Sequence, residues 1–102
     1  MIKLSECEEQ VMTIIWNSIE DIKRTEIRDK AEERFKHEWA LQTVSTFLSR
    51  LCTKGYLTTT RKGVYIYYHP EISLEDYRRE KMKDLVNMLY NGDVETAKVD
   101  LV

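Results

Sequence analysis

The chain contains little glycine and proline, and it has no long apolar run. Three glycines and one proline among 102 residues argue against a loop-rich or disordered protein and indicate a mostly helical one. No stretch approaches the roughly 18 consecutive apolar residues of a membrane span, and the acidic segment MIKLSECEEQ lacks the apolar region of a signal peptide. We therefore expect a cytoplasmic protein without membrane insertion, made of one domain and at most a small appendage.

Cysteine and histidine are also scarce, which bears on metal, redox and catalytic chemistry. Cys7 and Cys52 lie far apart and form neither a CxxC motif nor a Cys/His cluster, so we interpret them as core thiols in a reducing compartment. His37 and His69 occupy separate parts of the pattern, with no paired carboxylate or nucleophile at a catalytic spacing. The sequence therefore predicts no enzyme, no metal and no cofactor, and no motif indicates a small-molecule ligand.

Acidic residues are absent from Trp39 to Pro70, although acids outnumber bases in the whole chain. This block carries four bases and a formal charge of +4, whereas the segments before and after it each carry −3. A surface cleared of carboxylates suits a polyanion, because each nearby acid would oppose contact with phosphate. The local charge therefore predicts nucleic-acid binding, although the pI of about 5.7 does not.

Hydrophobic periodicity predicts three helices at the start of the chain. The first runs from about Ser5 to Ser18, and Ser5 with Glu8 three residues later forms a capping-box signature. The second opens at Thr25. The third runs from about Leu41 to Lys54 and stops before a glycine that suits the position after a helix end.

The period then changes from helical to strand-like. Tyr56–Arg61 and Val64–His69 are predicted strands with Lys62-Gly63 as the tight turn between them. A fourth helix is expected from Ser73 to about Tyr90, followed by a break and the start of a fifth. This order predicts a mostly α fold with a small β-hairpin, namely a winged helix-turn-helix over residues 1–72 and a C-terminal dimerisation segment over residues 73–102.

The third helix separates an apolar side from a polar one. Val44, Leu48 and Leu51 share one face with Phe47, and we expect this face to be buried. The opposite side presents short hydroxyl and amide side chains that can reach base edges in a major groove, while the basic hairpin residues Arg61 and Lys62 can contact phosphates. The residues predicted for the DNA-facing side of the helix are Gln42, Thr43, Ser45, Thr46, Ser49, Arg50 and Thr53.

Four segments also carry a recognisable combined pattern: LSECEEQVMTIIW at residues 4–16, WALQTVSTFLSRL at 39–51, KGYL at 54–57, and YHP at 68–70. Together they resemble the penicillinase-repressor family over essentially the whole chain. The resemblance implies a bacterial homodimeric repressor of β-lactam-resistance genes that binds a dyad operator in double-stranded DNA. It also implies release by a membrane sensor protease that cuts the dimerisation region. The DNA contacts that it implies are those of Thr43, Thr46, Arg50, Arg61 and Lys62.

The chain departs from the family pattern at three places. Val64 follows Gly63, where the family usually has a Gly-Arg step. The family's cut bond lies between Asn and Phe, and the corresponding bond here is Asp100-Leu101. The fifth helix is shorter than the family's, so we expect the dimerisation segment to be incomplete. The Cys-x-Cys metal motif of copper-responsive relatives is absent.

The C-terminal segment has an apolar side wider than packing on a small domain requires, which predicts a homodimer. Alternatives remain open: a copper- or redox-responsive repressor of the same fold, the redox form acting through Cys52, or a winged-helix module that binds protein. The residues predicted for the dimer contact are Leu85, Val86, Leu89, Tyr90, Val94, Ala97 and Leu101.

Overall fold

A computed structural model describes all residues from Met1 to Val102. The chain divides into two compact units, a first unit from Ile2 to Ser73 and a second unit from Leu74 to Val102. The predicted winged helix-turn-helix with C-terminal helices is confirmed. The elements are α1 (Glu6–Trp16), β1 (Ile22–Lys23), α2 (Arg24–Phe35), α3 (Leu41–Thr53), β2 (Leu57–Lys62), β3 (Tyr65–Pro70), α4 (Leu74–Leu89) and α5 (Val94–Asp100).

The start of α1 is fixed by the capping box that the sequence predicts. The Ser5 hydroxyl accepts from the backbone N–H of Glu8 at 3.2 Å, and the Glu8 carboxylate accepts from the backbone N–H of Ser5 at 2.8 Å. Two of the unpaired N–H groups at the helix start are thereby satisfied. The helix ends at Trp16, two residues before the predicted Ser18.

Three helices and the sheet enclose the core of the first unit. Each helix contributes one apolar stripe, as its periodicity predicts. Phe47, which we expected in this core, is only partly buried and packs against Trp39 with ring centroids 5.0 Å apart. The fully buried side chains include Val11, Met12, Ile14, Ile27, Val44, Leu48, Leu51 and Tyr56.

The hairpin belongs to a three-stranded antiparallel sheet with strand order β1-β3-β2. The sequence did not predict β1, because two residues are too few to show a strand period. The predicted turn was wrong by one residue. Lys62 pairs with Tyr65, so the turn consists of Gly63 and Val64. Gly63 has a φ of 64°, and a two-residue turn with glycine at its first central position requires that conformation.

The second unit consists of α4 and α5, joined through Asn91 and Gly92. Both residues have positive φ, 50° and 81°, which ends α4 abruptly as the sequence predicts. Asp93 then caps α5, because its carboxylate accepts from the backbone N–H groups of Glu95 and Thr96. No helix of the chain has the length and apolar character needed to cross a membrane.

Candidate nucleic-acid interface

The polar side of α3 lies on the surface, as the sequence predicts. Helical periodicity turns the buried Val44, Leu48 and Leu51 inward and the other side chains outward. Thr43 and Ser45 are half-buried at the edges of this side. The exposed members are Gln42, Thr46, Ser49, Arg50 and Thr53.

Two threonines on this side have their hydroxyl protons engaged by the helix itself. Thr46 Oγ1 donates to the carbonyl of Gln42 at 3.0 Å, and Thr53 Oγ1 donates to the carbonyl of Ser49 at 3.1 Å. Their oxygens can therefore accept a hydrogen bond from outside, and the methyl groups remain available for apolar contact. These are the two properties that a thymine methyl and an adenine amino group can use in a major groove.

Arg61 and Lys62, which the sequence grouped at one tip, lie on opposite faces of the hairpin. Neighbouring strand residues alternate between faces, and cross-strand partners share one. Leu57 is buried, so the face that it shares with Arg61 is the inner face, toward the helices. Lys62 lies on the outer face, where its Nζ is 5.1 Å from the centre of the Tyr67 ring. Only Arg61 therefore shares a side of the hairpin with the helices.

Three tyrosines of β3 divide between the same two faces. Tyr65 and Tyr67 lie on the outer face, and each ring is covered by a lysine: Lys23 Nζ is 4.3 Å from the Tyr65 ring, and Lys62 covers Tyr67. Tyr68 lies on the inner face, and burial raises the pKa of its phenol. Lysines thus engage Tyr65 and Tyr67, and Tyr68 is half-buried on the inner face.

Sequence reasoning missed Arg24. It is the first residue of α2 and is exposed, and its Nη1 donates to the Ser45 hydroxyl on α3 at 2.9 Å. Its positive charge also opposes the rise in the pKa of Tyr68. Arg24 therefore lies beside the polar side of α3 and near the inner face of β3. The signal in the sequence was the Lys23-Arg24 pair, but it stands in a segment of net charge −3 and far from Ser45 along the chain.

The surroundings of Cys52 do not activate its thiol. Both cysteines are half-buried and unpaired, and burial raises the pKa of Cys52 above its usual value. A raised pKa keeps the thiol protonated, whereas redox and metal chemistry requires the thiolate. The chain contains no group of three or more His, Cys, Asp or Glu side chains placed to hold a metal ion.

The second unit exposes most of the apolar side chains that the sequence assigns to a dimer contact. Leu85, Leu89, Val94 and Leu101 are exposed, and Val86 and Tyr90 are half-buried. Ala97 differs, because it is only 7% exposed in the single chain and offers little surface to a second copy. The residues of the predicted cleavage bond, Asp100 and Leu101, are both exposed, and the Asp100 carboxylate accepts from the Tyr90 hydroxyl at 2.7 Å.

The sequence is similar to those of known repressors. The family model described as Penicillinase repressor matches residues 4–102. The penicillinase repressor of Bacillus licheniformis is 30% identical over 100 residues, which cover 98% of this chain and 76% of that protein. The methicillin resistance regulatory protein MecI of Staphylococcus aureus (strain N315) is 24% identical over 101 residues, which cover 98% of this chain and 79% of that protein.

Solved structures show the same fold. The DNA-binding domain of the repressor BlaI aligns with a TM-score of 0.63 and 31% identity, over 74% of this chain and 88% of that one. The monomeric form of Bacillus licheniformis BlaI in complex with the blaP half-operator aligns with a TM-score of 0.60 and 30% identity, over 74% and 89%. PerR from Streptococcus pyogenes, at 20% identity and a TM-score of 0.58 over 68% of this chain and 48% of that one, shares the fold.

Proposed function

We propose a function from the premise that the chain belongs to the penicillinase repressor family. In this proposal the chain is a transcriptional repressor that binds double-stranded operator DNA and occludes a promoter. The observation that carries this proposal is the exposed polar side of α3, which lies within a 32-residue block without any acidic residue. A surface of amide, hydroxyl and guanidinium groups without carboxylates suits a DNA groove.

Two elements contact different parts of the DNA. The helix α3 enters the major groove, where Gln42 and Thr46 contact base edges and Thr43, Ser49 and Arg50 lie closer to the backbone. The hairpin contacts the flanking phosphates through Arg61 on its inner face, and Lys62 reaches the backbone from the outer face. The known complex of monomeric BlaI with a half-operator supports one domain per half-site.

Two copies of the chain bind together on a dyad operator. A single half-site contact is usually too weak for regulation, whereas a twofold dimer makes two such contacts on one duplex. The exposed apolar side chains Leu85, Leu89, Val94 and Leu101 of the second unit supply the contact, with Val86 and Tyr90 at its edge. A twofold contact would remove this apolar surface from water.

Release from DNA follows from cleavage of the second unit. The bond between Asp100 and Leu101 lies at the exposed end of α5, where a sensor protease can reach it. Cleavage would remove Leu101 from the dimer contact. The relatives named as a penicillinase repressor and a methicillin resistance regulatory protein support control of β-lactam-resistance genes. The chain would act in the cytoplasm, where its operator DNA lies. Direct redox sensing through Cys52 is disfavoured by the raised pKa of its thiol.

Selection from a pool of random duplexes tests the proposal against a protein-interaction module. The full chain should enrich an inverted repeat whose half-sites are centred about 10 base pairs, or a multiple of that distance, apart. Its affinity for the enriched duplex should fall steeply between about 50 and 200 mM salt. The proposal would be contradicted if the chain enriched no DNA sequence and bound random duplex no more tightly than it binds an acidic polypeptide.

A further inference from the structure

We propose that Arg24 and Ser45 together bind one additional backbone phosphate of the DNA. The inference rests on the proposed function and adds to it a contact that bridges α2 and α3. Arg24 lies outside the acid-free block between Trp39 and Pro70, which supplied all of the sequence-predicted contacts, Ser45 among them.

The geometry places an uncompensated positive charge at the edge of the α3 surface. Arg24 forms no ion pair with any carboxylate, and its polar contact is with the Ser45 hydroxyl, 2.9 Å from Nη1. Two other basic side chains of the first unit are neutralised by a neighbouring carboxylate, Arg28 by Asp29 and Lys54 by Glu8. The Arg24 charge is therefore available to an anion.

The contact leaves both partners able to bind phosphate. A guanidinium group has five N–H donors, and Ser45 occupies only one of them. The Ser45 oxygen accepts that bond, so its own hydroxyl proton remains free to be donated. A phosphate beside the pair could accept from Ser45 and from the guanidinium group at once, with charge-assisted bonds to the latter. The tether to α3 also holds the long arginine side chain in place before DNA arrives, which lowers the entropy cost of binding.

The surroundings favour an anion at this position. Arg24 begins the 12-residue helix α2, whose N-terminal end carries a partial positive charge. The nearest acid along the helix is Glu26, and residues two positions apart do not face the same side. The Glu26 carboxylate is directed instead to the backbone N–H of Lys23, at 3.4 Å. The Arg24–Ser45 pair thus joins the start of α2 to the polar side of α3, at the edge of the proposed DNA surface.

The salt dependence of DNA binding tests this inference with the full chain. Arg24→Ala should reduce the slope of log affinity against log salt by about 0.9 on random-sequence duplex, the value expected for one phosphate that the protein no longer neutralises. Arg34→Ala is the matched control, because it removes the same charge from the last turn of α2, at the other end of that helix. There Arg34 lines a recess with Ile14 of α1 and Asn17, the residue that caps the end of α1. The slope for Arg34→Ala should equal that of the wild type. Arg24→Lys should retain the slope, since it keeps the charge.

The second arm tests the pairing itself. Ser45→Ala should weaken binding about two- to tenfold without changing the slope, and it should have a smaller effect in the Arg24→Ala background. Thermal unfolding of each variant confirms that it is folded. An unchanged slope for Arg24→Ala beside normal wild-type binding would overturn this inference and leave the proposed function standing. A wild-type chain that binds no duplex would instead overturn the proposed function.

Discussion

Glu8 is the buried charged side chain of the chain, with 1% of its surface exposed. Its Oε1 accepts from Lys54 Nζ at 2.6 Å, and the same Nζ donates to the carbonyl of Lys3 at 3.0 Å. Burial alone would raise the pKa of this carboxyl, but the hydrogen bonds from Lys54 and Ser5 and the Lys54 charge outweigh it and lower the pKa. The ion pair thereby joins the start of the chain to the end of α3 and helps to hold α3 on the core.

The lowered pKa makes stability depend on pH in a defined direction. Since the folded-state pKa of Glu8 lies below that of the unfolded chain, its stabilisation is fully present above the unfolded value, about 4.3, and is lost as the pH falls through the folded value. Glu8→Gln should lower the free energy of unfolding at pH 7 by about 1–3 kcal/mol. Urea denaturation should show the difference from wild type shrinking below about pH 4.

A matched control separates this effect from the general charge of α1. Glu6→Gln alters an exposed carboxylate in the same helical turn and should change the free energy of unfolding by less than about 0.5 kcal/mol. A Glu8→Gln difference that stays constant from pH 7 to pH 3 would show that the ion pair is not its cause.

The hairpin is the element in which a small error in sequence reasoning changes the functional reading. Moving the turn by one residue, from Lys62-Gly63 to Gly63-Val64, takes Lys62 out of the turn and places it in β2, opposite Tyr65. Glycine fits either placement, so the sequence alone does not decide between them. The observed register assigns Arg61 to the inner face and Lys62 to the outer face, over Tyr67.

That register predicts unequal roles for the two basic residues. Arg61→Ala should reduce the salt slope for random duplex by about 0.9, as expected when one phosphate is no longer neutralised, and Lys62→Ala should reduce it by less because Tyr67 already engages the lysine. Fluorescence anisotropy titrations at several salt concentrations measure both slopes, with Arg34→Ala as the charge-matched control. Equal reductions for the two variants would show that both side chains neutralise phosphate to the same extent and would contradict the distinction.

The helix α3 should read sequence mainly through its first half. Gln42→Ala and Thr46→Ala should each reduce preference for the selected operator by about 1–3 kcal/mol and leave binding to random duplex almost unchanged. Thr53→Ala is the matched comparison, because Thr53 makes the same hydroxyl-to-carbonyl bond at the last residue of the helix. Its preference should change less. If all three variants bind both duplexes more weakly by the same factor, these residues contact the backbone and not the bases.

At the scale of the whole molecule, the sequence predicts what local patterns encode. The capping box at Ser5, the helical periods and the break at Gly92 depend on residues a few positions apart, and the structure contains each of them. The order of these local elements was sufficient to predict the fold class. The two-residue strand β1 and the contact of Arg24 with Ser45 could not be predicted, because they depend on tertiary pairing across 21 or more residues.

Assembly of two chains into a dimer can be tested with a substitution in the second unit. Leu89 is 67% exposed, and Leu85 lies one helical turn before it on the same side of α4. Leu89→Glu should therefore cost little in the stability of the single chain but place a charge in the proposed dimer contact. Sedimentation velocity over a range of concentrations should show a dimer for wild type and a monomer for the variant. Affinity for a dyad duplex should fall accordingly, while affinity for a half-site duplex should fall far less.

Asn87→Glu adds the same charge at an exposed position on another side of α4 and should leave the dimer intact. This control matters because DNA binding weakens with any added negative charge. If Leu89→Glu and Asn87→Glu lower dyad affinity equally, electrostatic repulsion explains the decrease and dimerisation does not. A wild-type chain that remains a monomer at the highest concentrations, and binds dyad DNA as independent half-sites, would show that the apolar surface of the second unit does not join two copies.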